Sequence, residues 1–295
     1  MAEQLGPMVR LWGLHPSQLP PSTATPEQLS PFLESILQES IPFIQDIQST
    51  WKSNGSKSFP HSKSPVELFN RDIPVSDLER IAKDSDLPQL KGTKIQSETW
   101  ALRRSVHEDA TTAGTACWDE WVKHFKEEHA QSEVAFTPSV LSTSIKQEWD
   151  CSGLELEIGG ETWTDLTLKR EESVHKLPAP LNKRLFPVVQ VTAAAGKGRR
   201  EFIVVQIVAV DDATIKEKDN QDTVRGAYSS VERLRETPDG IEWIMATASD
   251  AKGNLPIWIQ RPAVPGQIAK DVDMFLEWVA KERKGQDTGA LSDSK

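Results

Sequence analysis

Cysteine is scarce. Cys117 and Cys151 are the only two among 295 residues. Nothing in their spacing demands a bridge, so reduced thiols and a core that stands without staples are expected. Neither cysteine sits in a CxxC or comparable ligand cluster. His124 and His129 lie five apart on an expected helix, so they do not share a face as paired zinc ligands would, and solvated surface is the reading for both. No metal and no cofactor is expected. Long apolar runs are also missing: the longest, Phe202 to Val210, is interrupted by Gln206 and is too short to span a bilayer. No integral membrane segment is therefore expected. The N-terminus lacks the basic, apolar and small-residue pattern of a signal peptide, which makes the cytoplasm the expected location.

A basic surplus is absent too. Lys and Arg number 34 against 44 Asp and Glu, a formal net charge of −10. That balance argues against non-specific nucleic-acid binding and against docking on membranes through a polybasic patch. Catalytic signatures are equally thin. There is no GxSxG elbow and no GxGxxG after a strand. The stretch AAAGKGRR (193–200) lacks a complete GxxxxGK[ST] pattern and joins two strands, so it reads as a basic hairpin turn.

What is present is an ordinary globular balance of 37% hydrophobic and 26% charged residues. The length exceeds the roughly 200 residues that one mixed domain needs. Residues 1–26 read as irregular. Leu29, Phe32, Leu33, Ile36, Leu37, Ile41, Ile44 and Ile47 then form a helical stripe, with Pro42 expected to kink or split it. Lys52 to Pro65 reads as a loop, and Pro65 to Lys83 as one or two short helices. Thr99 to Glu108 has strand alternation. A helix from about Thr115 to Ala130 carries Trp118, Trp121, Val122 and Phe125 on one stripe. Strands are expected at 140–147, 161–173, 185–192, 202–210, 227–235 and 241–249, with tight turns at 195–198 and 237–240. A last amphipathic helix, 265–281, presents Ile268, Val272, Phe275, Leu276 and Val279. This order packs economically as an α+β fold in which a curved antiparallel sheet wraps around the C-terminal helix and leaves an internal cavity.

The segments TWALRRSVHEDATTAGTACWDEWVKHF (99–125), FPVVQVTA (186–193), GAYSSVERLRE (226–236), IEWIMATASDAKGNLPIWIQ (241–260) and PGQIAKDVDMFLEWV (265–279) together resemble an uncharacterised fungal family of the START-like superfamily. The resemblance implies the helix-grip fold and the binding of a lipid or other hydrophobic ligand. It brings no catalytic residues. The division it suggests is an N-terminal helical extension and linker (1–90), a START-like ligand-binding domain (91–284) and a disordered tail (285–295).

Strand alternation proposes which residues line the cavity. Trp100, Leu102, Arg104 and Val106 share one face of the first long strand, and Arg104 is the odd member. Tyr228, Ser230, Glu232 and Leu234 share a face further on. The reading pairs Arg104 with Glu232 inside the cavity, against the alternative that Arg104 reaches the surface. Trp243, Met245, Thr247 and Phe275 complete the expected wall, although plain core packing is the commoner fate of such residues. His107, close to Glu108 and Asp109, is the candidate acid–base group, with Tyr228 assisting. The expected activity is non-enzymatic binding or transfer of a lipid, sterol or other hydrophobic small molecule, with transient membrane contact. The rivals are a cyclase-type enzyme of fungal specialised metabolism (polyketide or terpenoid) and an interaction module.

Overall fold

In the computed structural model, which describes residues 5–210, 223–253 and 257–292, the alternating stretches join one eleven-stranded sheet. The strands are β1 (Lys52–Lys57), β2 (Val66–Ile73), β3 (Glu98–His107), β4 (Val140–Trp149), β5 (Leu156–Ile158), β6 (Glu161–His175), β7 (Lys183–Ala195), β8 (Glu201–Val208), β9 (Thr223–Arg225), β10 (Ala227–Thr237) and β11 (Gly240–Asp250). They lie in the order β1-β2-β3-β11-β10-β8-β7-β6-β4, with β5 on β6 and β9 on β7. Among the strands of the described residues, only β7 and β9 pair in parallel. Gly240 closes the β10–β11 hairpin at φ 127°, and a Cβ there would meet the His107 carbonyl at 2.4 Å, so glycine is required. On the far edge, β4 slips register against β6 twice, between Val140 and Ser142 and between Ile145 and Gln147.

Both faces of this sheet are covered. On the outer, convex face, α1 (Pro26–Phe43) lays down Leu29, Leu33, Ile36 and Leu37. These join Val9, Leu14, Trp100, Leu102, Val191, Val205, Val231 and Ala246 in one buried cluster. On the concave face, α6 (Ile257–Ser292) contributes Val272, Phe275, Leu276 and Val279, packed with Phe202, Leu234, Ile241 and Trp243. Two short helices, α2 (Ile47–Thr50) and α3 (Val75–Lys83), flank the first strands. Among the described residues, no helix is long and apolar enough to cross a membrane.

Residues 8–11 are pinned to the convex face by two carboxylates. Glu39 accepts from the Met8 and Val9 amides. Buried Glu98 accepts from the Leu11 amide at 2.6 Å and from the Trp100 indole at 2.9 Å. Burial pushes the Glu98 carboxyl up, and the Arg10 guanidinium opposes that. Glu98→Ala orphans the buried Trp100 indole and the half-buried Leu11 amide and is expected to cost about 1–3 kcal/mol. Urea unfolding measures the loss, and faster exchange of the Leu11 amide locates it.

Several sequence expectations change here. The loop at 52–65 contains β1, whose six residues are all exposed and therefore show no alternation. The helical reading of 65–83 holds only for α3. Its first half is β2, which buries Val66 and Leu68 toward α6 but Phe69 and Ile73 toward α1, a two-sided pattern that alternation does not reveal. The boundary placed at 90/91 falls between β2 and β3, which pair from Glu67–Arg104 to Ile73–Glu98. The helix expected at 115–130 is broken into α4 (Trp118–Trp121), a π-helical turn (Val122–Glu127) and α5 (His129–Phe136). The last helix is longer at both ends than 265–281. Its backbone continues through 285–292, where a disordered tail was expected, and residues 293–295 lie outside the described residues.

Candidate functional site

The concave face is divided in two. Toward one end, aromatic side chains fill it. Trp121 of α4 packs on Trp243 (4.9 Å between ring centroids) and on Phe275 (4.9 Å). Phe125 of the π-helical turn meets the same two rings at 4.7 and 4.8 Å. Trp243 and Phe275, expected on a ligand wall, are parts of this plug and are fully buried. His107 lies behind it, 0% exposed, 5.4 Å from the Trp121 ring and 2.8 Å from the Ser105 hydroxyl. Burial, helped by the Arg103 charge, pushes its pKa down to about 4, so the ring is neutral at pH 7. His107 is enclosed in the core.

The other half of the face is polar. Tyr228 donates to the Gln206 side-chain oxygen at 2.8 Å, and Ser230 donates to the same atom at 3.1 Å. Thr247 donates to the Ser229 carbonyl. Gln190 stands opposite Gln206 across β7 and β8. At the boundary with the plug, Glu232 accepts from the Trp243 indole at 2.6 Å and from Arg103 Nη2 at 3.2 Å. The Arg103 guanidinium also lies over the Trp243 ring, 3.7 Å from its centroid. From α5, His129 places Nε2 3.5 Å from the second Glu232 oxygen.

The expected Arg104–Glu232 pair is therefore wrong by one residue. Arg104 points out of the opposite face, about a third exposed, and is held by Glu67 and Glu242 at 2.7 Å each. Its neighbour Arg103, 2% exposed, is the inner arginine. The reason is that β3 is apolar on both faces: Trp100 and Leu102 look toward α1, so their company does not mark the concave side. His129 also departs from its reading as solvated surface. The π-helical turn, closed by the Glu128 amide on the Lys123 carbonyl, changes the winding before α5. His124 is likewise buried, hydrogen-bonded to the Ser132 hydroxyl at 2.9 Å.

Electrostatics tie further groups into the same interior. Burial works against the His129 imidazolium, but Glu232, Glu133 and Glu171 hold its pKa above the usual value. Burial also works against the Glu232 carboxylate, which His129 and Arg103 hold below its usual value. Asp271 of α6 goes the other way. Burial, against the Arg103 charge and reinforced by Glu133 and Glu232, pushes it up to about 7. Tyr228, Met245, Glu133 and Asp271, contributed by the sheet, α5 and α6, are each only partly buried. Of the residues expected at the site, Tyr228, Glu232, Met245 and Thr247 lie on the polar half of the concave face or at its boundary with the plug. Arg103, His129, Glu133, Glu171, Gln190 and Asp271 were missed.

A sheet gripping a C-terminal helix across its concave face, with a second helix layer outside, defines the START-like helix-grip fold. Human StAR-related lipid transfer protein 5 superposes with a TM-score of 0.54 at 14% identity, covering 89% of this chain and all of that one. Human STARD10 gives 0.49 at 13% identity, covering 85% and 84%. Residues 100–279 match the model of the family described as "Protein of unknown function (DUF3074)", and the chain belongs to that family. No curated protein matches.

Proposed function

We propose that the protein binds and carries an apolar small molecule, of the lipid, sterol or related hydrophobic class, in the space enclosed by the sheet, α5 and α6. One observation carries the reading. Arg103 Nε and Nη1 are buried without a hydrogen-bond partner among the described residues, across the strand pair from the partly accessible Met245. Unpaired donors inside a fold cost free energy unless a guest supplies the acceptor. The lipid-transfer function in the name of the human protein of like fold accords with this. Burying about 300 Å² of ligand yields roughly 7 kcal/mol gross at 25 cal/mol per Å². After ordering costs, micromolar affinity suits loading and release. Such a carrier works in the cytoplasm and touches membranes transiently.

Native mass spectrometry of the protein purified from its own host is expected to show a bound organic molecule. Met245→Trp, which fills the space, removes it, whereas Arg104→Met on the opposite face retains it. No bound molecule, together with no uptake of fluorescent lipids, overturns the reading.

A second reading, a cyclase-type enzyme of specialised metabolism, draws on the His129–Glu232 pair beside Tyr228, which has the makings of an acid–base relay. It requires turnover of a polyketide or terpenoid chain that His129→Gln abolishes without abolishing binding.

A further inference from the structure

Of the five asparagines in the chain, Asn54 alone precedes a glycine. The Asn54–Gly55 pair stands in β1, the terminal strand of the sheet, whose residues are all exposed. β1 pairs Ser53 with Phe69 and then Ser56 with Glu67, so Asn54 and Gly55 together oppose the single residue Leu68. Two residues against one is a bulge, and the ladder loses its regular spacing there. Gly55 takes φ 83°, and a Cβ built on it would meet nothing within 4 Å. Backbone freedom, not crowding, therefore marks this position. Among the described residues, nothing hydrogen-bonds the Asn54 carboxamide.

An exposed carboxamide beside an unhindered amide nitrogen is a reactive arrangement. The Gly55 nitrogen attacks Asn54 Cγ. An N–Cγ bond forms, the Cγ–Nδ2 bond breaks, and ammonia leaves with the proton of the Gly55 amide. Water then opens the resulting succinimide at either carbonyl, giving isoaspartate or aspartate. Water is the sole co-reactant. Ring closure needs the backbone at 54–55 to leave its strand conformation, and a strand paired on one side only, at an interruption of its ladder, opens at low cost. The chain holds its own contrast. Asp239–Gly240 could close the same ring, but Gly240 is packed so that a Cβ would stand 2.4 Å from the His107 carbonyl, and its own carbonyl accepts from Thr237 Oγ1.

We propose that Asn54–Gly55 is a site of spontaneous deamidation that places isoaspartate, with a smaller share of aspartate, in β1. Isoaspartate carries the main chain through its side chain and lengthens the backbone by a methylene, so the residues beyond it lose register with β2. Those residues lead to the contacts with α6. Lys57 Nζ lies 3.3 Å from where a Gly266 Cβ would stand, and the His61 amide donates to Asp273 at 2.8 Å. Ageing of the molecule is thereby coupled to the strand that leads into its clasp on the last helix. This inference is independent of the carriage reading.

Incubation of the full chain at pH 8 and 37 °C, followed by intact mass and peptide mapping, tests it. A gain of one mass unit is expected in the peptide holding residue 54, which then becomes a substrate for a protein isoaspartate methyltransferase. The gain should proceed at least tenfold faster than at Asn70 or Asn182, should slow as the pH is lowered to 6, and should vanish in Asn54→Gln. Conversion at residue 54 no faster than at the other two asparagines overturns the proposal. Hydrogen exchange reads the consequence: amides of β1 in the converted chain should exchange at least tenfold faster than in Asn54→Gln held for the same time. Equal exchange overturns the loss of register and leaves the chemical step standing.

Discussion

Arg103→Met is expected to lower the unfolding free energy by about 3 kcal/mol, read as a shift of the urea midpoint. Breaking a buried ion pair from one side costs about 3–5 kcal/mol, because the surviving charge is left without its counter-ion. The lower end applies here, since Glu232 keeps the Trp243 indole at 2.6 Å and His129 at 3.5 Å. Methionine also restores part of the packing of the arginine stem against Trp243. Adding Glu232→Gln should recover most of the loss, because no uncompensated charge then remains. A double variant as unstable as the sum of the singles would show that the pair is not coupled. Arg104→Met serves as the contrast. Its partners Glu67 and Glu242 lie toward solvent or are shared with Arg235, so about 1 kcal/mol or less is expected.

Asp271→Asn is expected to stabilise the protein by an amount that grows as pH rises from about 4 and is complete above about 7. Burial pushes the Asp271 carboxyl up to about 7 in the folded state, against an ordinary value of about 3.9 in the unfolded chain. Between those values the folded state holds a proton that the unfolded state releases, so stability falls as pH rises through this window. A difference of this size is worth up to about 4 kcal/mol at 1.4 kcal/mol per pH unit. Above pH 7 the folded protein carries that cost in full; below pH 4 it carries none. Thermal melts should place Asp271→Asn about 5 °C or more above the unaltered chain at pH 8, with the gap closing by pH 4. A gap that is constant with pH would assign the effect to packing.

Much of the fold was legible because strands β3, β6, β7, β8, β10 and β11 alternate or run continuously apolar, and α6 carries a stripe of helical period. The sequence order of those elements was enough to imply a sheet around a helix. β1 and β2 were not legible. The first is an exposed edge of Lys, Ser, Asn and Gly, and the second buries residues on both sides. The inner face was legible on β10 and β11, where Glu232, Tyr228, Met245 and Thr247 point to the concave side as their alternation suggests. It failed on β3 because a sheet covered on both sides removes the cue that apolar means inward. Two adjacent arginines then left a choice that only the neighbouring strands decide: Glu67 and Glu242 on one side, Glu232 on the other. The groups contributed by helices were missed for another reason. A π-helical turn falsifies face arguments built on 3.6 residues per turn, so His129 was read as surface. Asp271 sits beside the apolar stripe of α6, where one acid among Ile268, Val272 and Phe275 was the available signal.

The two register slips of β4 bear on whether the sheet can be extended by a second copy. β4 ends the sheet and presents Leu141 and Ile145, the exposed large hydrophobics of the described residues, at 41% and 48%. An open strand with exposed apolar side chains is a template on which another copy can add a strand. Slips at both 140/142 and 145/147 break the row of backbone donors and acceptors into short pieces. A straight incoming strand then finds no continuous ladder to extend. The irregularity of β4 thus works, beside the exposed charges of Lys146 and Glu148, as a guard against edge-to-edge aggregation.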